Sequence, residues 1–240
     1  MRRSRIYTPQ ILTVATQIQL QEQASHYVSK VLRLTVADSL CVFNGDGHEY
    51  NAVIADIGKK AVMVTLTEQL TPPTESLIYT VLGLGISRGE RMDYAIQKST
   101  ELGISRIVPL FTEHCEVKLH AERIDKRQQH WQQIVISACE QSGRVKVPMV
   151  DKPQHLQAWL DTQTASLKLM FDHSQNAALG GARPAGEIAL LIGPEGGLST
   201  AEQSQATKSG FVGIALGNRV LRTETAPVVA LSVLQYLWGA

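Results

Sequence analysis

Cysteine is scarce: Cys41, Cys115 and Cys139 stand far apart in 240 residues. They make no C-x-x-C pair and no zinc spacing, which excludes a disulfide framework and a zinc module. The seven histidines supply no H-E-x-x-H string, so no metal is expected. There is no P-loop, and Gly83-Leu84-Gly85-Ile86-Ser87-Arg88 places arginine where a dinucleotide fingerprint needs its third glycine. Long apolar runs are missing as well. The longest, from Ala226 to Trp238, is interrupted by Pro227, Ser232 and Gln235, and it is shorter than the ~20 residues needed to cross a bilayer. The basic start Met1-Arg2-Arg3-Ser4-Arg5 is followed by no apolar stretch of the kind an export signal carries. The expectation is a cytoplasmic protein with reduced, structural thiols and no membrane partner. An excess of charge is also absent, because 23 Lys and Arg offset 22 Asp and Glu for a net charge of +1. That balance excludes a uniformly basic coat and an acidic tail.

The balance is a cancellation. Residues 1–35 hold five basic groups (Arg2, Arg3, Arg5, Lys30, Arg33) against Glu22, a local charge of +4. Residues 36–80 hold two basic groups and six acids, a local charge of −4. A basic face on a small module would attract phosphate; an ordinary solvated surface accounts for the same charges equally well.

The hydrophobic pattern changes near residue 76. Ala24, Tyr27, Val28, Val31 and Leu32 recur at helical spacing. Short β-type runs follow at Leu40–Phe43, Tyr50–Ile54 and Ala61–Leu66, separated by the turn strings Asn44-Gly45-Asp46-Gly47 and Asp56-Ile57-Gly58. These features predict a small β-barrel domain over residues 1–71. Thr71-Pro72-Pro73-Thr74-Glu75-Ser76 reads as a linker, since two adjacent prolines fit neither a helix nor a sheet interior. From residue 77 to residue 240 strands and helices alternate. Strands are expected at Tyr79–Leu84, Arg106–Phe111, Lys168–Phe171, Ile188–Ile192 and Val212–Leu216. Helices are expected at Glu90–Leu102, Glu122–Gln141, Gln154–Leu160, Thr200–Lys208 and Glu224–Leu237. This is the grammar of an α/β domain with a mostly parallel sheet covered on both faces. Its ligands bind at the carboxyl ends of the strands.

Three loops there carry more than turn chemistry. Gly193-Pro194-Glu195-Gly196-Gly197 lies between an apolar strand and a helix opened by the capping box Ser199-x-x-Glu202. One glycine would satisfy a tight turn; three allow backbone to approach a ligand closely beside free helix N–H groups. Leu216-Gly217-Asn218-Arg219-Val220-Leu221-Arg222-Thr223-Glu224-Thr225-Ala226 leads into an apolar helix. Its threonines and glutamate suit a helix start, but Arg219 and Arg222 exceed what capping requires. Glu140-Gln141-Ser142-Gly143-Arg144 ends the long central helix, and spacing alone does not separate a functional string from a solvated helix end there.

These strings, with Lys98-Ser99-Thr100-Glu101-Leu102-Gly103 and Ile192-Gly193-Pro194-Glu195-Gly196-Gly197, occur in one order over essentially the whole chain. Together they resemble the RsmE family, the 16S ribosomal RNA uridine N3-methyltransferases of the SPOUT class. The resemblance implies a PUA-like β-barrel that helps hold RNA, then a SPOUT domain whose sheet ends in a trefoil knot, an exception to the usual rule against knots. It implies a homodimer, S-adenosylmethionine as methyl donor, no metal, and 16S rRNA of the small ribosomal subunit as partner. Pro227 departs from the pattern, where relatives continue with a helix former, and puts the start of the last helix in question.

The resemblance also assigns residues. Leu169, Phe171, Ile192, Gly193, Gly196, Gly197, Leu216, Gly217, Leu221, Arg222, Thr223 and Thr225 would line the cofactor site. Arg2, Arg3, Arg5, Arg33, Arg88, Gln141 and Arg144 would meet RNA. Methyl transfer to uracil N3 is a single displacement that requires loss of the N3 proton, and an arginine near O2 or O4 would stabilise the developing charge. Arg144 and Arg222 are the candidates for that role or for gripping a neighbouring phosphate, while Glu195 and Glu224 are each either the proton acceptor or an ordering group for a loop. The alternatives are a SPOUT enzyme acting on another RNA or on ribose 2′-OH, and a non-catalytic RNA-binding assembly factor.

Overall fold

A computed structural model describes residues 3–59, 61–117, 121–171, 179–215 and 217–239. The chain divides into two compact units. One comprises the residues up to Glu75 together with Cys139–Val147, the other Ser76–Ala138 together with Pro148–Ala240. Residues 139–147, which the sequence pattern runs on with the second domain, thus belong to the first unit.

The first unit contains β1 (Arg5–Tyr7), β2 (Gln17–Gln19), α1 (Glu22–His26), β3 (Ser39–Phe43), β4 (Glu49–Ile57) and β5 (Val62–Leu70). The expected helix over 24–32 is present, but its second half, Tyr27–Val31, is a π-helical turn. The strands pair in the order β1-β3-β4-β5-β2, with β1 parallel to β3 and the other pairs antiparallel. Alternate residues of β4 and β5 point inward, so Tyr50, Ala52 and Ile54 meet Val62, Val64 and Leu66 in one core. Ile6 of β1, Ile18 of β2, Leu40 and Val42 of β3, and Val28 join the same cluster, so every strand contributes to one interior. Ser25 fastens α1 to that interior: its hydroxyl donates to the Leu20 carbonyl and accepts from the Val62 N–H, both at 3.0 Å.

A set of buried charges closes this unit. The Glu75 carboxylate accepts from Arg144 Nε at 3.2 Å and Nη2 at 2.8 Å, and from the N–H groups of Val145 at 2.9 Å and Lys146 at 3.0 Å. The Arg144 side chain is only 7% exposed. Burial alone would raise the Glu75 carboxyl, but Arg144 and the two N–H groups outweigh it and hold the group below its ordinary value. The segment that reads as a linker therefore ends in a clamp. Arg5 pairs with Glu49 and donates to the Arg144 carbonyl at 2.8 Å, while Glu140 accepts from the Tyr7 N–H at 3.0 Å. Burial pushes the Cys41 and Cys139 thiols up to about 12, which suits the structural role expected of them.

The second unit contains β6 (Thr80–Gly85), α2 (Gly89–Glu101), β7 (Arg106–Phe111), α3 (Ala121–Ser142, its last residues counted with the first unit), β8 (Met149–Val150), β9 (Gln154–His155), α4 (Leu156–Asp161), β10 (Leu167–Phe171), β11 (Ile188–Ile192), α5 (Thr200–Lys208), β12 (Val212–Ile214) and α6 (Thr225–Trp238). Its strands are all parallel, in the order β12-β10-β11-β6-β7-β8, with β9 also on β7. Every residue of β6 and β11 is buried, as the unbroken apolar runs require of central strands covered on both faces. Gly83 lets α4 close down on β6, because a Cβ there would lie 2.5 Å from the Trp159 ring. Since the strands run the same way, Gly85, Phe171, Ile192 and Ile214 all reach the same edge of the sheet.

Removing the clamp in the first unit leaves Arg144 buried without its main counter-ion. Glu75→Ala is expected to destabilise the protein by about 3 kcal/mol, read as a lower urea midpoint. A carboxyl held below 4.5 in the fold contributes fully above that ordinary value and loses its contribution as pH falls through the folded one. The gap between wild type and Glu75→Gln should therefore be widest near neutral pH and shrink progressively as the pH is taken below 4.5.

Candidate functional site

At that edge of the sheet lies a cavity of about 580 Å³. Its floor is made by the strand ends Phe171, Ile192 and Ile214, and its walls by the loops 193–198 and 219–226. Arg91 and Gln203 complete it.

The 193–197 loop is shaped by its glycines, each for a different reason. Gly197 has φ 69°, in the left-handed region, and its N–H donates to the Pro194 carbonyl at 2.9 Å. A Cβ on Gly193 would lie 2.9 Å from the Gly197 carbonyl carbon, and one on Gly196 would lie 2.7 Å from His114 Cβ. His114 Nδ1 sits 2.9 Å from the Gly196 carbonyl oxygen. Beyond the loop the capping box of α5 is complete: Ser199 Oγ accepts from Glu202 N–H at 3.3 Å, and Glu202 Oε2 accepts from Ser199 N–H at 2.9 Å. The second oxygen of Glu202 accepts from Glu113 N–H at 2.8 Å, so one buried carboxylate orders two loops.

Glu195 lines the cavity and is engaged by its neighbours. Its Oε1 accepts from the Arg88 N–H at 3.0 Å and pairs with Arg91 Nη1 at 3.4 Å. Arg88 precedes α2 without a side-chain cap, so Glu195 supplies the negative charge this helix start favours. Burial would raise the Glu195 carboxyl, but the N–H groups of Arg88 and of Glu195 itself, with Arg91, hold it below its ordinary value. Thr223 joins the two signature loops. Its hydroxyl donates to the Gly193 carbonyl at 2.9 Å and lies 3.2 Å from Ser87 Oγ. Arg222 is 79% exposed, and its Nη1 is 3.9 Å from Glu224 Oε1.

Of the residues expected to hold a cofactor, Phe171, Ile192, Gly193, Gly196, Gly197, Leu221, Arg222 and Thr223 line this one cavity. Leu169 is buried inside β10, Gly217 precedes the lining segment, Thr225 opens α6, and Leu216 lies outside the described residues. Glu195, Arg222 and Glu224 also line it. Arg144 does not: it is buried against Glu75 in the first unit. Arg5, expected to meet RNA phosphates, has its guanidinium paired with Glu49 and donating to the Arg144 carbonyl. Arg3, Arg33 and Gln141 are exposed, and the Arg88 side chain is exposed and pairs with Glu116; Arg2 lies outside the described residues. The sequence reading missed Arg91, Gln203 and Ile214. Ile214 was within reach, since it ends a strand just as Phe171 does; Arg91 and Gln203 sit on ordinary helices and carry no local signal.

Comparison with known proteins agrees with this geometry. The model of an RNA methyltransferase domain matches residues 74–235, and that of an RNA methyltransferase PUA domain matches residues 20–67. Ribosomal RNA small subunit methyltransferase E of Buchnera aphidicola subsp. Schizaphis graminum is 35% identical over 237 residues, 98% of this chain and 96% of that protein. A methyltransferase structure from Legionella pneumophila, solved with bound SAM, superposes with a TM-score of 0.95 at 39% identity and 98% coverage of both chains. The small subunit methyltransferase E of Neisseria gonorrhoeae, bound to S-adenosyl methionine, superposes with a TM-score of 0.93 at 37% identity and 99% coverage of both. With the signature loops meeting at one cavity and the likeness running the length of the chain, this protein belongs to the ribosomal RNA small subunit methyltransferase E family of RNA methyltransferases.

Proposed function

We propose that the protein methylates N3 of uracil at a specific uridine of 16S rRNA in the small ribosomal subunit, in the cytoplasm, with S-adenosylmethionine as methyl donor and no metal. The observation that carries this reading is the meeting of the Gly193–Gly197 and 219–226 loops around one cavity at the strand ends. The volume, about 580 Å³, is that of a small-molecule site. Its lining suits the cofactor: apolar Phe171, Ile192, Ile214 and Leu221 face a flat nucleoside, and the glycine backbone permits close approach. When bound, S-adenosylmethionine supplies a methyl group on a cationic sulfonium.

The chain's own residues supply the rest. Thr223, held by Gly193 and Ser87, keeps the two loops at a fixed separation, so the reacting groups meet in one orientation. Arg222 is at the cavity with an exposed guanidinium, and we give it the role of stabilising charge on uracil O2 or O4 as the N3 proton leaves. Glu195 is committed to the start of α2 and to Arg91, and it orders its loop. In this reading residues 77–240 form the methyltransferase domain, the cavity is formed by the loops of a trefoil knot, and the protein acts as a homodimer. Residues 1–71 form a PUA-like barrel that holds RNA through Arg2, Arg3 and Arg33.

Small ribosomal subunits from a strain lacking the protein, incubated with labelled methyl donor, should gain label as 3-methyluridine in 16S rRNA by nucleoside mass spectrometry. Label on ribose, on another base or on another RNA sinks the assignment. Arg222→Ala should lower kcat by roughly 10²–10³-fold. Replacing both Arg3 and Arg33 by Ala should weaken RNA binding and reduce the slope of its salt dependence by about 2 in log–log form, with affinity for the methyl donor unchanged.

A further inference from the structure

Among the described carboxylates that line the cavity, Glu224 has a buried oxygen with nothing to accept. Glu195 and Glu202 are each satisfied by backbone N–H groups. Glu224 Oε1 is 3.9 Å from Arg222, whereas Oε2 is shut off from solvent and receives no hydrogen bond. A buried acceptor without a donor is costly, and more so when it carries charge.

The local sequence explains why the protein itself supplies no donor. Glu224 immediately precedes α6 with helical φ −77° and ψ −22°, and its side chain makes no cap hydrogen bond. Two residues on, the Ala226 N–H already donates to the Arg222 carbonyl at 3.0 Å. Three residues on stands Pro227, which has no N–H. The Thr225 N–H is also taken, by the same carbonyl at 2.9 Å. No backbone N–H of this first turn is therefore aimed at the Glu224 carboxylate. The residue lines the cavity, and the terminal torsion of a glutamate is soft, so a small rotation brings the free oxygen to a bound molecule.

We infer that Glu224 anchors the cosubstrate, accepting a hydrogen bond from an N–H or O–H group of bound S-adenosylmethionine. The inference rests on the cofactor assignment made above. Two donors have the right chemistry, the methionyl ammonium and the nucleoside hydroxyl or amino groups.

Calorimetry on the full-length protein tests it with three probes: S-adenosylmethionine, S-adenosylhomocysteine and 5′-methylthioadenosine. Glu224→Ala should bind the first two roughly ten- to hundredfold more weakly, the usual cost of losing a charged hydrogen bond. Glu224→Gln, which keeps one acceptor, should lose less and guards against a folding defect in the alanine variant. A loss shared by 5′-methylthioadenosine assigns the donor to the nucleoside; a loss confined to the two amino-acid-bearing probes assigns it to the ammonium. Unchanged affinity in both Glu224 variants, with wild type binding normally, overturns the inference. A loss for S-adenosylmethionine alone overturns it too, because that outcome reports attraction to the sulfonium charge rather than a donor. Wild type that binds none of the probes overturns the cofactor assignment instead.

Discussion

The cavity depends on how closely the backbone leaving β6 approaches the backbone leaving β11. The two strands are neighbours at the centre of the sheet, and each is followed or ended by glycine: Gly85 closes β6 and Gly193 follows β11. A Cβ on Gly85 would lie 2.4 Å from the Pro194 nitrogen, so no larger residue fits there. Once that approach is allowed, the other ties become possible. Glu195 comes within reach of the Arg88 N–H, and Thr223 bridges Gly193 and Ser87. The site is thus assembled by backbone proximity first and by side-chain hydrogen bonds second.

Four glutamates show how one residue type is put to different uses by its surroundings. Glu75 gathers two N–H groups and a guanidinium and becomes a brace. Glu202 completes a helix cap and reaches across to Glu113. Glu195 serves the first turn of α2 from another loop. Each of these carboxylates accepts from at least one backbone N–H. Glu224 differs because one of its oxygens is shut off from solvent and receives no hydrogen bond.

Much of this was legible in the sequence, because hydrophobic period and turn chemistry act over a few residues. The central strands of the second unit, the capping box at Ser199 and the signature loops follow directly from that grammar. The three-residue strands β1 and β2 did not, since so short a segment carries no period. The fates of Arg5 and Arg144 were also hidden. Their carboxylate partners lie 44 and 69 residues away in sequence, and only the fold brings those pairs together. An arginine-rich start reads as a nucleic-acid face whether its side chains point out, as Arg3 and Arg33 do, or are drawn inward like Arg5. Leu169 illustrates the same limit at finer scale. It belongs to the right strand, but only the residue at the strand's end reaches the cavity.

The Glu75 clamp has a bearing on how the protein is made. It ties the end of the first segment to Arg144, Val145 and Lys146, so the first unit is built from two stretches of chain separated by some 60 residues of the other unit. During synthesis from the amino end, the five-stranded sheet can gather its apolar core early. Its partly buried Glu75 must then wait until residue 147 has left the ribosome before its partners arrive. The first unit therefore matures only after β6, α2 and β7 have also emerged, and its completion reports that the longest helix of its neighbour has been made.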